Sequence, residues 1–235
     1  MADELLRPSV AGTATPTYDA GLRAHMQRVF NYMAGGLALT GVLAFVVANT
    51  ALAGIIFGTP LKWVAIFSPF VFVMWLQVRI QHMSAAKART LFWLFCGTMG
   101  LSMASIFLVF TGASVARAFF ITSATFAAMS LYGYTTKRNL IGLGAFFMMG
   151  MIGLMIAIVV NLFLMSSMLQ WLVSVAGVAI FTGLTAFSVQ QIKRTYDAAW
   201  GSEANDKLAV FGALQLYLNF INAFQFLLML TGNRR

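Results

Sequence analysis

Residues 211–230 read FGALQLYLNFINAFQFLLML. The stretch is uncharged and long enough, at about 1.5 Å of rise per residue, to cross the ~30 Å hydrocarbon core of a bilayer as one helix. Four carboxamides interrupt its apolar run, Gln215, Asn219, Asn222 and Gln225, at spacings of four, three and three. At about 100° per residue they share an arc of roughly 120°, and Tyr217 falls on the far side. A carboxamide facing acyl chains finds no hydrogen-bond partner. The helix must therefore be shielded by other helices, and the chain reads as a bundle with its last helix central. The amide stripe itself has two readings. It is either interhelical hydrogen-bond glue, worth about 0.6 kcal/mol per contact, or the polar lining of a pore or ion site.

The rest of the chain agrees with a membrane bundle. Of 235 residues 60% are apolar and 9% charged, against about 25% charged in an average soluble domain. Mean hydropathy is +0.85. Six further apolar stretches precede the last, at about 29–53, 63–78, 91–110, 118–134, 140–164 and 171–187, so that seven transmembrane helices are expected. All 15 Lys and Arg, all 6 Asp and Glu and both histidines, His25 and His82, lie outside these ranges. A charge at mid-helix costs roughly 2.5–3.5 kcal/mol, which accounts for the segregation. Residues 1–28 read as a cytosolic tail, with a short amphipathic helix from Tyr18 to Arg28, and 29–235 as the seven-helix domain. Ala51-Leu52-Ala53 resembles a signal-peptidase site, but the polar lead and the apolar run are both too long, so the first stretch is expected to be a retained helix.

Eleven Lys and Arg fall on the side of the N-terminal tail and four on the other. The positive-inside rule places the N-terminus in the cytoplasm and, with an odd number of spans, the C-terminus outside. The positive charges are scattered singly rather than gathered on one solvated face, so they do not point to nucleic acid. They point instead to the lipid bilayer as the partner.

Thr182, Thr185 and Ser188 recur every third residue on the sixth span, followed by Gln190 and Gln191. Hydroxyls can bond back to their own helix, so this row is structural unless it meets the amide face of the last helix. Ser68-Pro69 marks a kink in the second span. Trp200, in the long polar segment 188–210, is an expected interfacial anchor, and Ser202 or Asn205 an expected helix cap. Glycines at 35, 36, 41, 97, 100, 142, 144, 150 and 153 permit close helix approach. The methionines, among them Met148, Met149, Met151 and Met155, read as adaptable packing. Cys96 stands alone, which excludes an intrachain disulfide and a cysteine-based zinc site. With no acid in any span, no zinc-binding His-Glu pair, no phosphate loop and no nucleophile beside a base, neither an enzyme nor a cofactor is expected.

Gly133-Tyr134-Thr135-Thr136-Lys137-Arg138, Gln190-Gln191-Ile192-Lys193, Leu216-Tyr217-Leu218-Asn219-Phe220-Ile221-Asn222 and the lead-in Leu22 to Tyr32 together resemble the Bax inhibitor family, in its bacterial YccA-like branch, over about 22–230. The resemblance implies a seven-helix fold with the last helix central, in a bacterial inner membrane. It implies a cation (calcium) leak in some members, gated by protonation of two aspartates, and modulation of a membrane protease under stress in others. Those aspartates would fall at Ser188 and Asn219, and a third family acid, after Arg138, at Asn139. None of the three is a carboxylate here. A Ser and an Asn cannot titrate, so the family's pH switch is expected to be missing, while the two side chains can still hydrogen-bond. Two functions follow as expectations. One is a cation (calcium) leak with Ser188, Asn219, Asn222 and Gln215 lining a constriction. The other is a non-conducting regulator that binds a membrane protease or other membrane proteins, with the tail 1–28 as its handle.

Overall fold

A computed structural model describes residues 16–79 and 83–235; His82 and the first fifteen residues of the expected tail lie outside them. The described chain forms α1 (Pro16–Ala48), α2 (Leu52–Phe57), α3 (Leu61–Arg79), α4 (Ala85–Val109), α5 (Gly112–Thr135), α6 (Ile141–Leu164), α7 (Ser167–Thr195) and α8 (Gly201–Thr231), with a 3-10 turn at Ala198–Trp200. Six of these, all except α2 and α3, are long and apolar enough to cross a membrane. The apolar part of α3, Leu61–Leu76, is shorter.

The helix ends follow from local chemistry. Ser84, Thr111 and Ser166 accept a backbone N–H at the starts of α4, α5 and α7. The first apolar stretch was expected to run to residue 53, but α1 stops at Ala48. There the Asn49 amide donates to the Phe45 carbonyl at 2.8 Å and the Thr50 hydroxyl to that of Val47 at 3.2 Å. Such side-chain bonds compete with helix continuation, and the short α2 follows. At its other end α1 extends unbroken to Pro16, so the expected amphipathic helix Tyr18–Arg28 is the lead-in of the first span rather than a separate element. α3 continues through Pro69. The Ser68 hydroxyl donates, at 3.5 Å, to the Ala65 carbonyl that proline leaves without its usual N–H partner. Asn205 does not cap α8 from outside; its amide donates inward to the carbonyls of Asp197 and Gly201, at 2.8 and 2.9 Å. Trp200 is exposed.

α8 packs against α1, α4, α5 and α7. Its apolar window is 56% buried, against 11% for α6. The last helix is therefore the axis of the bundle, with α7 beside it and α6 and α3 on the outside. The α1–α4 seam is close enough to need glycine: a Cβ at Gly100 would lie 2.8 Å from that of Leu43 and 3.0 Å from the Thr40 carbonyl. Of the α6 methionines Met151 packs against the core as expected, whereas Met149 and Met155 are 73% and 61% exposed and cover the outer surface.

Arg28 of α1 pairs with Asp206 of α8, so both helices start at one end of the bundle. At the opposite end the chain terminus is laced to the α4–α5 loop. Thr111 N–H donates to the Asn233 carbonyl at 3.1 Å, Arg235 N–H to that of Val109 at 2.9 Å, and Asn233 N–H to the Ser114 hydroxyl at 3.0 Å.

Candidate functional site

The hydroxyl row of α7 and the amide face of α8 meet. The Asn219 amide donates to the Ser188 hydroxyl at 2.9 Å, and the two residues are 7% and 1% exposed. The contact is neutral and shielded from lipid. A separate cavity of about 90 Å³, among α5, α7 and α8, is mostly apolar, lined by Ile121, Phe126, Val178, Ala223 and Leu227, with four hydroxyls, Thr122, Thr125, Thr182 and Thr185; Ser188 and Asn219 do not line it. Thr122 donates its proton to the Ala118 carbonyl and Thr185 to that of Phe181, both at 2.8 Å. Their oxygens keep lone pairs free to accept, which suits a cation or water.

The other members of the stripe behave differently. The Asn222 amide turns back to the Leu218 carbonyl of its own helix at 2.8 Å. Gln215 is half-buried and has no hydrogen-bond partner among the described residues, and Gln225 is half-buried. Of the four expected lining residues, Ser188 and Asn219 are brought together, while Asn222 and Gln215 are not joined to them.

Close packing stabilises this region. A Cβ at Gly133 of α5 would lie 2.3 Å from the Ala186 carbonyl of α7, so only glycine allows the two backbones this near. One turn further along α7, Gln190 clamps the α5–α6 loop: its side-chain oxygen accepts the Leu140 N–H at 2.9 Å and its amide donates to the Arg138 carbonyl at 2.7 Å. Lys193 donates to the Tyr134 carbonyl at 2.9 Å, at the C-terminal end of α5, and lies 4.7 Å from the centre of the Tyr134 ring. Arg194 donates to the Asn139 side-chain oxygen at 2.8 Å, and that oxygen also accepts the Ile141 N–H at 3.1 Å. Asn139 thus fills the loop role open to an aspartate, without its charge. The separate sequence motifs 133–138 and 190–193 are one structural unit.

The far side of α8 holds a contact that sequence reasoning missed. Tyr217 is fully buried, its ring 5.7 and 6.2 Å from those of Phe95 and Phe92. Its hydroxyl lies 2.7 Å from that of Thr40 on α1, and Thr40 donates to the Cys96 carbonyl on α4 at 2.9 Å. One tyrosine therefore joins three helices. The available signal was a tyrosine in mid-span, away from the interfacial belt where the residue is usual. His25 is buried at the other end of α1, its ring 5.1 Å from that of Tyr196, and is not part of the Ser188–Asn219 site.

Comparison with known proteins places this architecture. The family described as inhibitor of apoptosis-promoting Bax1 matches residues 22–235. Over 93% of each chain the sequence is 43% identical to an uncharacterized protein of Rickettsia prowazekii. It is 40% identical to the inner membrane protein YbhL of Escherichia coli K12, over 92% of this chain and 94% of that one. It is 30% identical to an uncharacterized membrane protein of Streptococcus pyogenes, over 91% and 94%. Six apolar membrane-length helices and these relatives establish an integral inner membrane protein in contact with the lipid bilayer. The chain belongs to the Bax inhibitor family.

Proposed function

We propose that the protein is a cation leak, with calcium as its cargo, in which the Ser188–Asn219 contact is a constriction that does not respond to pH. The observation that carries this reading is the 2.9 Å neutral hydrogen bond between two buried side chains, at the positions where the family resemblance puts its acid pair. Two carboxylates in contact share a proton and separate when it leaves. A hydroxyl and a carboxamide keep the same contact at every physiological pH. About one turn along α7, Thr185, with Thr122, Thr125 and Thr182, adds hydroxyl oxygens to an otherwise apolar cavity, acceptors of the kind a hard cation takes. No covalent chemistry is assigned, and the protein acts without being an enzyme.

The topology that goes with this function has seven spans. α3 is 19 residues long, about 28 Å at helical rise, close to the ~30 Å core. Seven crossings put the N-terminus in the cytoplasm and the C-terminus outside, in keeping with eleven basic residues on one side against four.

The second reading, a non-conducting regulator of a membrane protease or another membrane protein, draws on the closed contact and the missing carboxylates. Calcium entry into vesicles reconstituted with the wild-type protein and with Asn219→Leu separates the two. A leak gives flux above that of protein-free vesicles, altered by the substitution. Flux equal to protein-free vesicles for both proteins overturns the leak and leaves the regulator.

A further inference from the structure

α1 and α5 both pack on α8 but leave a cleft between themselves. Three cavities follow one another along it. The first, about 330 Å³, lies at the end where α1 begins and is lined by Arg23, Met26, Gln27, Phe30, Ser130 and Tyr134, among others. The next, about 510 Å³, and the last, about 300 Å³, share Leu37, Gly41, Phe119 and Phe220, so they adjoin. Phe30 to Met33 on α1 and Ser130 to Phe126 on α5 are single-turn steps that join the first to the second. From Arg23 to Gly41 is 18 residues of unbroken helix, about 27 Å. That covers a headgroup and one leaflet of a ~30 Å core.

The chemistry of the cleft is divided. Its length is apolar, and it opens on a lipid-facing surface, with Val42 61% and Phe120 71% exposed. Its end is not apolar. Ser130 is 6% exposed and its hydroxyl has no hydrogen-bond partner. In a fold whose other buried hydroxyls are almost all bonded, such an orphan marks a missing acceptor or donor. Arg23 stands over the same cavity with no carboxylate partner among the described residues, and Gln27 adds an amide. A guanidinium, an amide and a hydroxyl around one opening match a phosphate. The apolar trough behind them matches an acyl chain.

We propose that the α1–α5 cleft is a binding site for one phospholipid of anionic headgroup, its phosphate on Arg23, Gln27 and Ser130 and one acyl chain lying along Leu37, Gly41 and Phe119 over Phe220. The site is separate from the Ser188–Asn219 contact and does not depend on conduction. The basic end of the bundle favours phosphatidylglycerol over a zwitterionic lipid.

Native mass spectrometry of the full chain in detergent tests this, with dioleoyl phosphatidylglycerol as the probe and with dioleoylglycerol and inorganic phosphate as separate arms. One saturable lipid adduct is expected, with neither control bound. Arg23→Ala should weaken it about tenfold, the worth of one charge-assisted hydrogen bond. Gly41→Phe should abolish it by filling the trough. A Cβ at Gly41 meets nothing within 4 Å, so the new side chain starts in open space, and an unchanged unfolding temperature checks that the fold is kept. Arg89→Ala, a charge at the same end outside the cleft, should bind as wild type. A statistical ladder of adducts insensitive to Arg23→Ala and Gly41→Phe means annular lipid and overturns the proposal. So does equal binding of dioleoylglycerol, an adduct with phosphate alone, or a second copy of the chain in place of the lipid.

Discussion

Replacing Ser188 by Ala and Asn219 by Leu, singly and together, measures what the buried contact is worth and whether it holds a path shut. A buried polar atom left without a partner costs about 1–3 kcal/mol. Here both residues have a fallback on their own helix. Thr185 and Thr122 show a hydroxyl bonding back to the carbonyl four residues earlier, and Asn222 shows a carboxamide doing the same. The worth of the contact should then fall within the range of interhelical hydrogen bonds, about 0.6 kcal/mol on average and about 1.7 at most. A value near 1 kcal/mol is roughly a fivefold change in an equilibrium. In detergent unfolding, each single variant should lose about 1 kcal/mol and the double variant less than the sum. In calcium-loaded vesicles each should raise flux about fivefold, with little further gain in the double variant. If unfolding shows the coupling while the flux of all three variants equals that of wild type, the contact is packing glue and the gate reasoning is wrong.

Three further outcomes test the frame around the site. Gln190→Ala removes both bonds to the α5–α6 loop and leaves the buried Leu140 N–H without its acceptor; a loss of about 2–3 kcal/mol is expected, with faster amide exchange at Leu140. Gly133→Val puts a side chain against the Ala186 carbonyl; it should cost about 2–3 kcal/mol or prevent folding, read as loss of monodisperse protein. Tyr217→Phe and Thr40→Val each remove one partner of the α1–α8 hydroxyl pair; each should cost about 1 kcal/mol, and the double variant less than their sum, in a thermal-unfolding cycle.

Much of this architecture is written in hydropathy. Most of the charge-free stretches coincide with the long helices, although the first runs past the end of α1, and the amide stripe of residues 215–225 marks the last helix as the shielded one. The Ser188–Asn219 contact followed from the family resemblance, which pairs those two positions, and not from the pattern, because hydroxyls can also bond back to their own helix. The termini of the helices were less legible. α1 runs back to Pro16 because a helix can continue into the interface, where hydropathy stops reporting it, whereas the run of α7 through Gln190 and Gln191 was legible in the sequence. The Gln190 clamp could not be read, since its partners are backbone groups of a loop, and backbone groups are alike in every sequence. Tyr217 with Thr40 escaped for a different reason. Periodicity placed the tyrosine opposite the amides, but α8 is covered on both faces, and the second face is apolar except for that one hydroxyl. Asn222 shows the converse: it lies on the expected face and yet satisfies itself on its own helix.

Calcium flux into vesicles holding the wild-type protein, followed in small steps from about pH 6 to pH 8 beside protein-free vesicles, bears most directly on a neutral Ser188–Asn219 constriction. Flux above the protein-free level and level across that range is the expected result. A steep change with pH, or no flux at any pH, would contradict it.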